Sequence, residues 1–397
     1  MAYLLVANLI LWAGLAAGAA AFGLHAHRKH RRSRLRSRQH GDPARDYAAR
    51  RDWGRSTSKL NYSSFVFFDV DRDGRYSDGD RPMSGIVARL AGAGAHILTT
   101  RTNGNGFANF IMSVTNRRAH IRSPGRYTFS VSVPPDWICT SGNAVQSRDF
   151  RLIQGSPAGI GADEMVKPVG IAPLRMLTGR GGTAAATISV LRGGQRLCGE
   201  TIAPESGFRV KVPDGADAVA IDGLGFVRTL ALTSYPTHLG VLAAEREAIE
   251  AGAALETIDF EGVTPRSLRK VPSGHAGLNW FNLNAISRDF DGNEGYVNGN
   301  TSGDHTCYTS SGHPAELWSE QPFGFHSVMI SVAWLAAEGE TARIESWRGD
   351  TLLAVDEIAV SALTPVHYAP MLKDVTRIRF TSKHFWQLVI DDLVLAR

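Results

Sequence analysis

The sequence predicts a mainly β protein, with an N-terminal transmembrane helix followed by three β-sandwich modules. Three observations carry that expectation. The 397 residues include 41 Gly and 17 Pro, scattered among short alternating apolar and polar runs bounded by turn signals. Long runs of helical periodicity are nearly absent. The chain opens on an apolar run without charge, and the remainder is long enough for two or three domains that each bury a core.

The opening run, "AYLLVANLILWAGLAAGAAAFGL", is long enough as a helix to cross a hydrocarbon core of about 30 Å. Residues 1–24 are therefore expected to be a transmembrane helix or signal segment. Residues 25–58 read as a basic juxtamembrane linker, since eleven Lys/Arg face three Asp between Arg28 and Arg55. Each basic residue near anionic lipid contributes about 1 kcal/mol, so a membrane is the expected partner. Taking this net +8 from the +5 of the whole chain leaves −3. A mildly acidic body gives no support for nucleic-acid binding. Cationic flanks tend to stay cytoplasmic, whereas the modules below argue for a body outside the cytoplasm, in the periplasm or at the cell surface. Small residues around Ala19 to Ala21 leave a cleaved, exported form open.

The first module opens with "SSFVFF", a strand, followed by "DVDRDGRYSDGD". With Asp69 as position 1, acidic residues fall at 1, 3, 5, 10 and 12 and Gly74 at 6, close to the spacing by which a twelve-residue loop wraps oxygens around Ca²⁺. Five carboxylates this close repel unless a cation sits among them. Asp69, Asp71 and Asp73 would offer side-chain oxygens, Arg75 its carbonyl, Ser77 or Asp78 a direct or water-bridged ligand, and Asp80 the closing carboxylate. Position 12 is Asp instead of the longer Glu, and a strand precedes the loop, so it is expected to join strands. A solvated acidic turn without metal is the alternative.

The succession "FVFFDVDRDGRYSDGDRPMSGIVARL", "TTRTNGNGFANF" and "SPGRYTFSVSVPPDW" resembles the Cna B-like modules of the serine-aspartate-repeat type from bacterial surface proteins, over Phe65 to Trp137. The resemblance implies a prealbumin-like β-sandwich over residues 59–150, with structural Ca²⁺ and a spacer or presentation role. Some relatives carry a Lys–Asn cross-link. No Lys lies between Leu60 and Val166, so none is expected here.

Residues 155–242 alternate in short β-like runs such as "TAAATISVLRGG" and are expected to form a second small sandwich. "LAAEREAIEAGAALE" then reads as a helical linker over 243–256. The last module, 257–397, contains "HAGLNWFNLNAI", "GYVNGNTSGDHTCY", "SVAWL" and a closing "IDDLVLAR". This order of motifs resembles, from Ile258 onward, a jelly-roll module of secreted bacterial and fungal proteins whose fold is similar to carbohydrate-binding modules. If its first and last strands pair, Asp259, Glu261 and Asp391 form a second, weaker calcium site. Sugar recognition needs aromatic faces and amides, and Trp280, Asn282, Tyr296, Asn298 and Trp347 are the expected ligand-binding residues. Trp334, in an unbroken apolar strand, reads as core.

Among enzyme signatures, GxSxG, HExxH and a P-loop are all missing. His305 and Cys307 share a strand face beside Asp304 and are weak as a hydrolytic pair. Cys139, Cys198 and Cys307 form no metal or disulfide framework. The expected function is non-enzymatic: a calcium-stabilised β module presenting a jelly roll that binds a glycan or surface protein. A purely structural surface or matrix protein is the alternative, and a polysaccharide hydrolase using acidic residues is a third.

Overall fold

The computed structural model describes residues 60–92, 97–224, 228–243, 249, 252–264, 268–288 and 294–397. The expected membrane segment and basic flank lie outside these residues, as does half of the expected helical linker. Among the described residues no helix is long and apolar enough to cross a membrane.

"NYSSFVFF" is apolar at consecutive positions because both faces of its strand are covered, and Tyr62 to Phe68 are all buried. The first half of Asn61–Phe68 pairs antiparallel with Phe107–Ile111, and its second half pairs in parallel with Val169–Pro173. The facing sheet runs Ile97–Arg101, Val87–Ala91, Gly125–Val131, Val145–Leu152, Ile160–Ala162. Tyr62, Phe110, Leu90, Phe129 and Phe150 fill the space between, with the Tyr62 ring 5.0 Å from Phe129 and 4.9 Å from Phe150. Beyond the expected end at residue 150, Ile160–Ala162 and Val169–Pro173 pair into the two sheets of the first module, because a buried strand edge must find backbone partners wherever the chain supplies them.

The middle sandwich starts at Met176–Gly181, which pairs with Gly207–Lys211 and Thr237–Leu242. Its other sheet holds Gln195–Ile202, Ala186–Arg192, Ala218–Asp222 and Arg228–Ala231. Thr237–Leu242 also pairs in parallel with Val366–Tyr368 of the last module, so the two modules share one continuous sheet. In the last module the first strand, Leu255–Ile258, lies antiparallel to the last, Leu388–Ala396, which places Leu255 and Glu256 in sheet and outside any linker helix.

Polar contacts tie the modules together. Asn298 Oδ1 accepts from Ser84 N at 3.0 Å while its Nδ2 donates to Ser84 O and Ala362 O. Arg81 Nη1 donates to Asn300 O and Oδ1, both at 2.9 Å. Toward the middle module, Ser234 Oγ donates to Val70 O at 2.9 Å, and Phe68 packs on Tyr235 with centroids 5.1 Å apart. Between the middle and last modules, buried Asp356 accepts from Val241 N and from Tyr368 Oη, the latter at 2.5 Å.

That same seam buries His367, whose imidazole is pushed down to about 4 by burial and then by neighbouring His326, itself lowered by burial. A folded value below the unfolded 6.5 means that the unfolded chain binds the proton first. The contribution is complete above about pH 6.5 and is lost as pH falls toward 4, amounting to on the order of 3 kcal/mol. Stability measured by denaturant unfolding from pH 7.5 to 4 should fall more steeply in the native chain than in His367→Gln.

Candidate functional site

The acidic loop begins where the first strand ends. Asp69 N donates to Ile171 O at 3.0 Å, which fixes the backbone and leaves the side chain fully buried. Asp69 Oδ2 accepts from Gly74 N at 2.8 Å, whereas Oδ1 has no hydrogen-bond partner. Asp71 Oδ1 accepts from Asp73 N and Asp73 Oδ1 from Arg75 N, so the loop coils back on itself. One oxygen from each of Asp69, Asp71 and Asp73 lies within 4.8 Å of the other two. A buried carboxylate oxygen without a donor, beside two more carboxylates, offers oxygen ligands of the kind that could hold a hard cation. Gly74 makes this turn feasible: its φ is +78°, and a Cβ there would sit 3.0 Å from Thr140 O.

The remaining expected ligands are placed otherwise. Asp80 Oδ1 accepts from Val70 N and its Oδ2 from Ser77 N, so Asp80 and Ser77 close the loop on its own backbone. Burial, with Asp69 and Asp71 adding to it, raises the Asp80 carboxyl to about 6. Asp78 and Arg75 are exposed, and neither Asp78 nor Asp80 joins the three-carboxylate group.

The weaker second site is not assembled: Asp259, Glu261 and Asp391 do not form such a group among the described residues. Each serves a turn instead. Asp259 Oδ1 accepts from Glu261 N. Glu261 accepts from Asp304 N, His305 N and His305 Nδ1. Buried Asp391 accepts from Thr301 N, Thr301 Oγ1, Ser302 N and Asp392 N. Cys307 lies in the core with its thiol pushed well up by burial, which disfavours the thiolate a hydrolytic pair needs.

Of the five expected sugar-binding residues, Trp280 and Tyr296 are buried, and the half-buried Asn282 and Asn298 spend their amides on backbone groups. Trp280 is 5% exposed, and its Nε1 donates to His275 O at 2.9 Å. Tyr296 is buried against Tyr308, and its Oη donates to Gln387 Oε1. Asn282, at φ 58°, donates from Nδ2 to the carbonyls of Ser310, His313 and Pro314. Asn298 is the clamp on Ser84 described above. Trp334, expected in the core, is partly buried against Tyr296.

Trp347 alone reaches an outer face, where the structure gives it neighbours that sequence reasoning missed. Cross-strand register aligns Asn279, Trp318, Arg377, Trp347 and Leu352 in one row. A second row holds Phe281, Glu316, Arg379 and Glu345. Alternation supports a common outward face: Leu317, Ile378 and Ser346 between them are buried, while Trp318 is 37% and Phe281 56% exposed. The Arg377 guanidinium lies 4.8 Å from the Trp347 ring centroid. Parity in "ELWSE" and "TRIRF" could have shown which residues avoid Leu317 and Ile378, but not that the two strands adjoin.

No family model matches the chain, and no curated protein matches it. Among solved structures, it is similar to the TIE protein of Bacillus anthracis (9% identity, 46% of this chain, TM-score 0.20), of which it spans 34%. It is similar to a single-site variant of shaft pilin SpaA from Lactobacillus rhamnosus GG (11% identity, 46% of this chain and 97% of that one, TM-score 0.22). A third is the major pilin of Streptococcus pyogenes (7% identity, 82% and 99%, TM-score 0.20). At such scores none of these superpositions defines the fold, which rests on the strand pairing above.

Burial separates two tryptophans that look alike in sequence. Trp280→Ala should lower unfolding free energy by about 3–5 kcal/mol through loss of core packing. Trp318→Ala should leave it within about 0.5 kcal/mol. Denaturant titration of both variants measures the contrast.

Proposed function

We propose that the chain is a non-catalytic, exterior surface protein, tethered by residues 1–24 with the basic flank 25–58 against the membrane, whose first module is stiffened by Ca²⁺ and whose last module binds a glycan. The observation that carries the calcium part is the buried, unpartnered Oδ1 of Asp69 among the Asp71 and Asp73 carboxylates. Bound calcium supplies the positive charge that these carboxylates lack. Binding stabilises the native state by RT ln(1 + [L]/Kd), a term large in calcium-rich surroundings and small in cytosol. This favours a body outside the cytoplasm.

Val70 within the loop, and Phe68, Arg81 and Ser84 beside it, touch both other modules, so ordering the loop would also steady their junctions. Glycan binding draws its support from the outward Trp318, Phe281 and Trp347, since flat apolar rings suit the faces of pyranoses. A purely structural role is the second reading, favoured by how many polar side chains here are spent on joints between modules.

Thermal unfolding of the whole chain with calcium and with a chelator tests the metal. At calcium about a hundred times Kd the midpoint should rise by about 3–4 °C, and the rise should vanish in the double variant Asp71→Ala, Asp73→Ala. A native chain whose midpoint ignores calcium would sink this part of the proposal.

A further inference from the structure

We propose that the face formed by Trp318, Arg377 and Trp347 takes an acidic polysaccharide in which carboxylate-bearing sugars are spaced among neutral ones. The inference rests on the glycan-binding reading and names the ligand class of that same face. Its geometry is a row across the sheet: Trp318 pairs with Arg377, and Arg377 with Trp347 on the far side. Adjacent strands lie about 4.8 Å apart, so the two indoles stand roughly 10 Å apart with one guanidinium between them.

The charges of the face sort into satisfied and unsatisfied groups. Arg379 faces Glu316 with Nε 3.5 Å from Oε1, and Arg343 contacts both Glu345 at 3.0 Å and Glu357 at 3.4 Å. Arg377 has no carboxylate partner among the described residues and rests on the Trp347 ring instead. Its Nε, and the Nε1 of Trp347 beneath it, are covered and lack any hydrogen-bond acceptor. Two desolvated N–H donors without acceptors make this resting arrangement easy to displace.

A carboxylate drawing the guanidinium away from the indole would receive its parallel N–H donors. The same movement would bare the Trp347 face for a sugar ring, with Trp318 and Phe281 as further platforms. Among the six charged side chains in these contacts (Arg343, Arg377, Arg379; Glu316, Glu345, Glu357) the charges balance. A dense polyanion gains little from such a surface, whereas an isolated carboxylate between neutral rings meets one unpaired cation between two aromatics.

The test is retention of the whole chain, at low ionic strength, by hyaluronan, alginate and glucuronoxylan, each beside its carboxyl-reduced derivative, with poly-glutamate as a carboxylate lacking sugar faces. At least one acidic polymer should bind about tenfold more tightly than its reduced form, the loss expected for one charge-assisted contact, and should change tryptophan fluorescence. Arg377→Gln should erase that difference while melting normally. Trp318→Ala should weaken both forms. Equal binding of acidic and reduced polymers overturns the inference and leaves the glycan reading standing. Poly-glutamate bound as tightly as the polysaccharides assigns the face to an acidic peptide and overturns both. If none of the acidic polymers is retained, the inference falls; retention of cellulose or xylan then decides separately whether any glycan is bound.

Discussion

The strand Ala315–Val332 has 18 residues, and every one of its backbone donors and acceptors away from water needs a partner. At about 3.3 Å per residue it is longer than one sheet layer of a small sandwich. It meets the demand by changing partners along its length. Its first part lies between Asn279–Phe281 and Leu372–Ser382, and its second between Val366–Tyr368 and Leu388–Ala396, with register shifts between Trp318 and Phe323 and between Phe323 and Phe325. Such irregularities bend a strand and re-aim its side chains. One end of this strand thus presents Glu316 and Trp318 outward, while the other is buried almost throughout. Through Val366–Tyr368, the same hydrogen-bond ladder continues into the middle module.

That continuity shapes how the modules relate. Independent modules on a flexible tether would be expected to share few contacts. Here a parallel strand pair joins the middle and last modules, and reciprocal amide bonds from Asn298 to Ser84 join the first to the last. Asn298 of the "GYVNGN" segment, whose amide suggested a sugar hydroxyl partner, spends it on backbone groups of Ser84 in the first module and of Ala362 in its own. An asparagine offers both donor and acceptor at one side-chain tip, which suits a joint between chain segments as well as it suits a sugar. The acidic loop sits beside these joints.

Parts of the site were legible because their geometry is local. Asp69, Asp71 and Asp73 lie within one turn, and a Gly at position 74 with positive φ is enough to gather them. The aromatic face is assembled from four separate strands, and no local rule states that "ELWSE" will lie beside "TRIRF" and that beside "IESWR". For the same reason Trp280 and Trp318 could not be told apart: each stands directly beside an apolar residue, Phe281 and Leu317 respectively, and the side that faces the core depends on a partner far away in sequence. The extent of the first module depends on the same thing, since the fully buried run "VGIAP" gains meaning only as the parallel neighbour of Asn61–Phe68.

The sequence by itself determined the β class, the turns, the oxygen-rich loop with its glycine, and the separation of apolar from polar faces along each strand, because alternation and turn chemistry act over a few residues. The tertiary structure decided which strands are neighbours, and through them which carboxylates converge, which asparagines become joints and which tryptophans meet solvent. Those outcomes depend on backbone pairing between distant segments, which is chosen by burial and hydrogen-bond satisfaction over the whole chain.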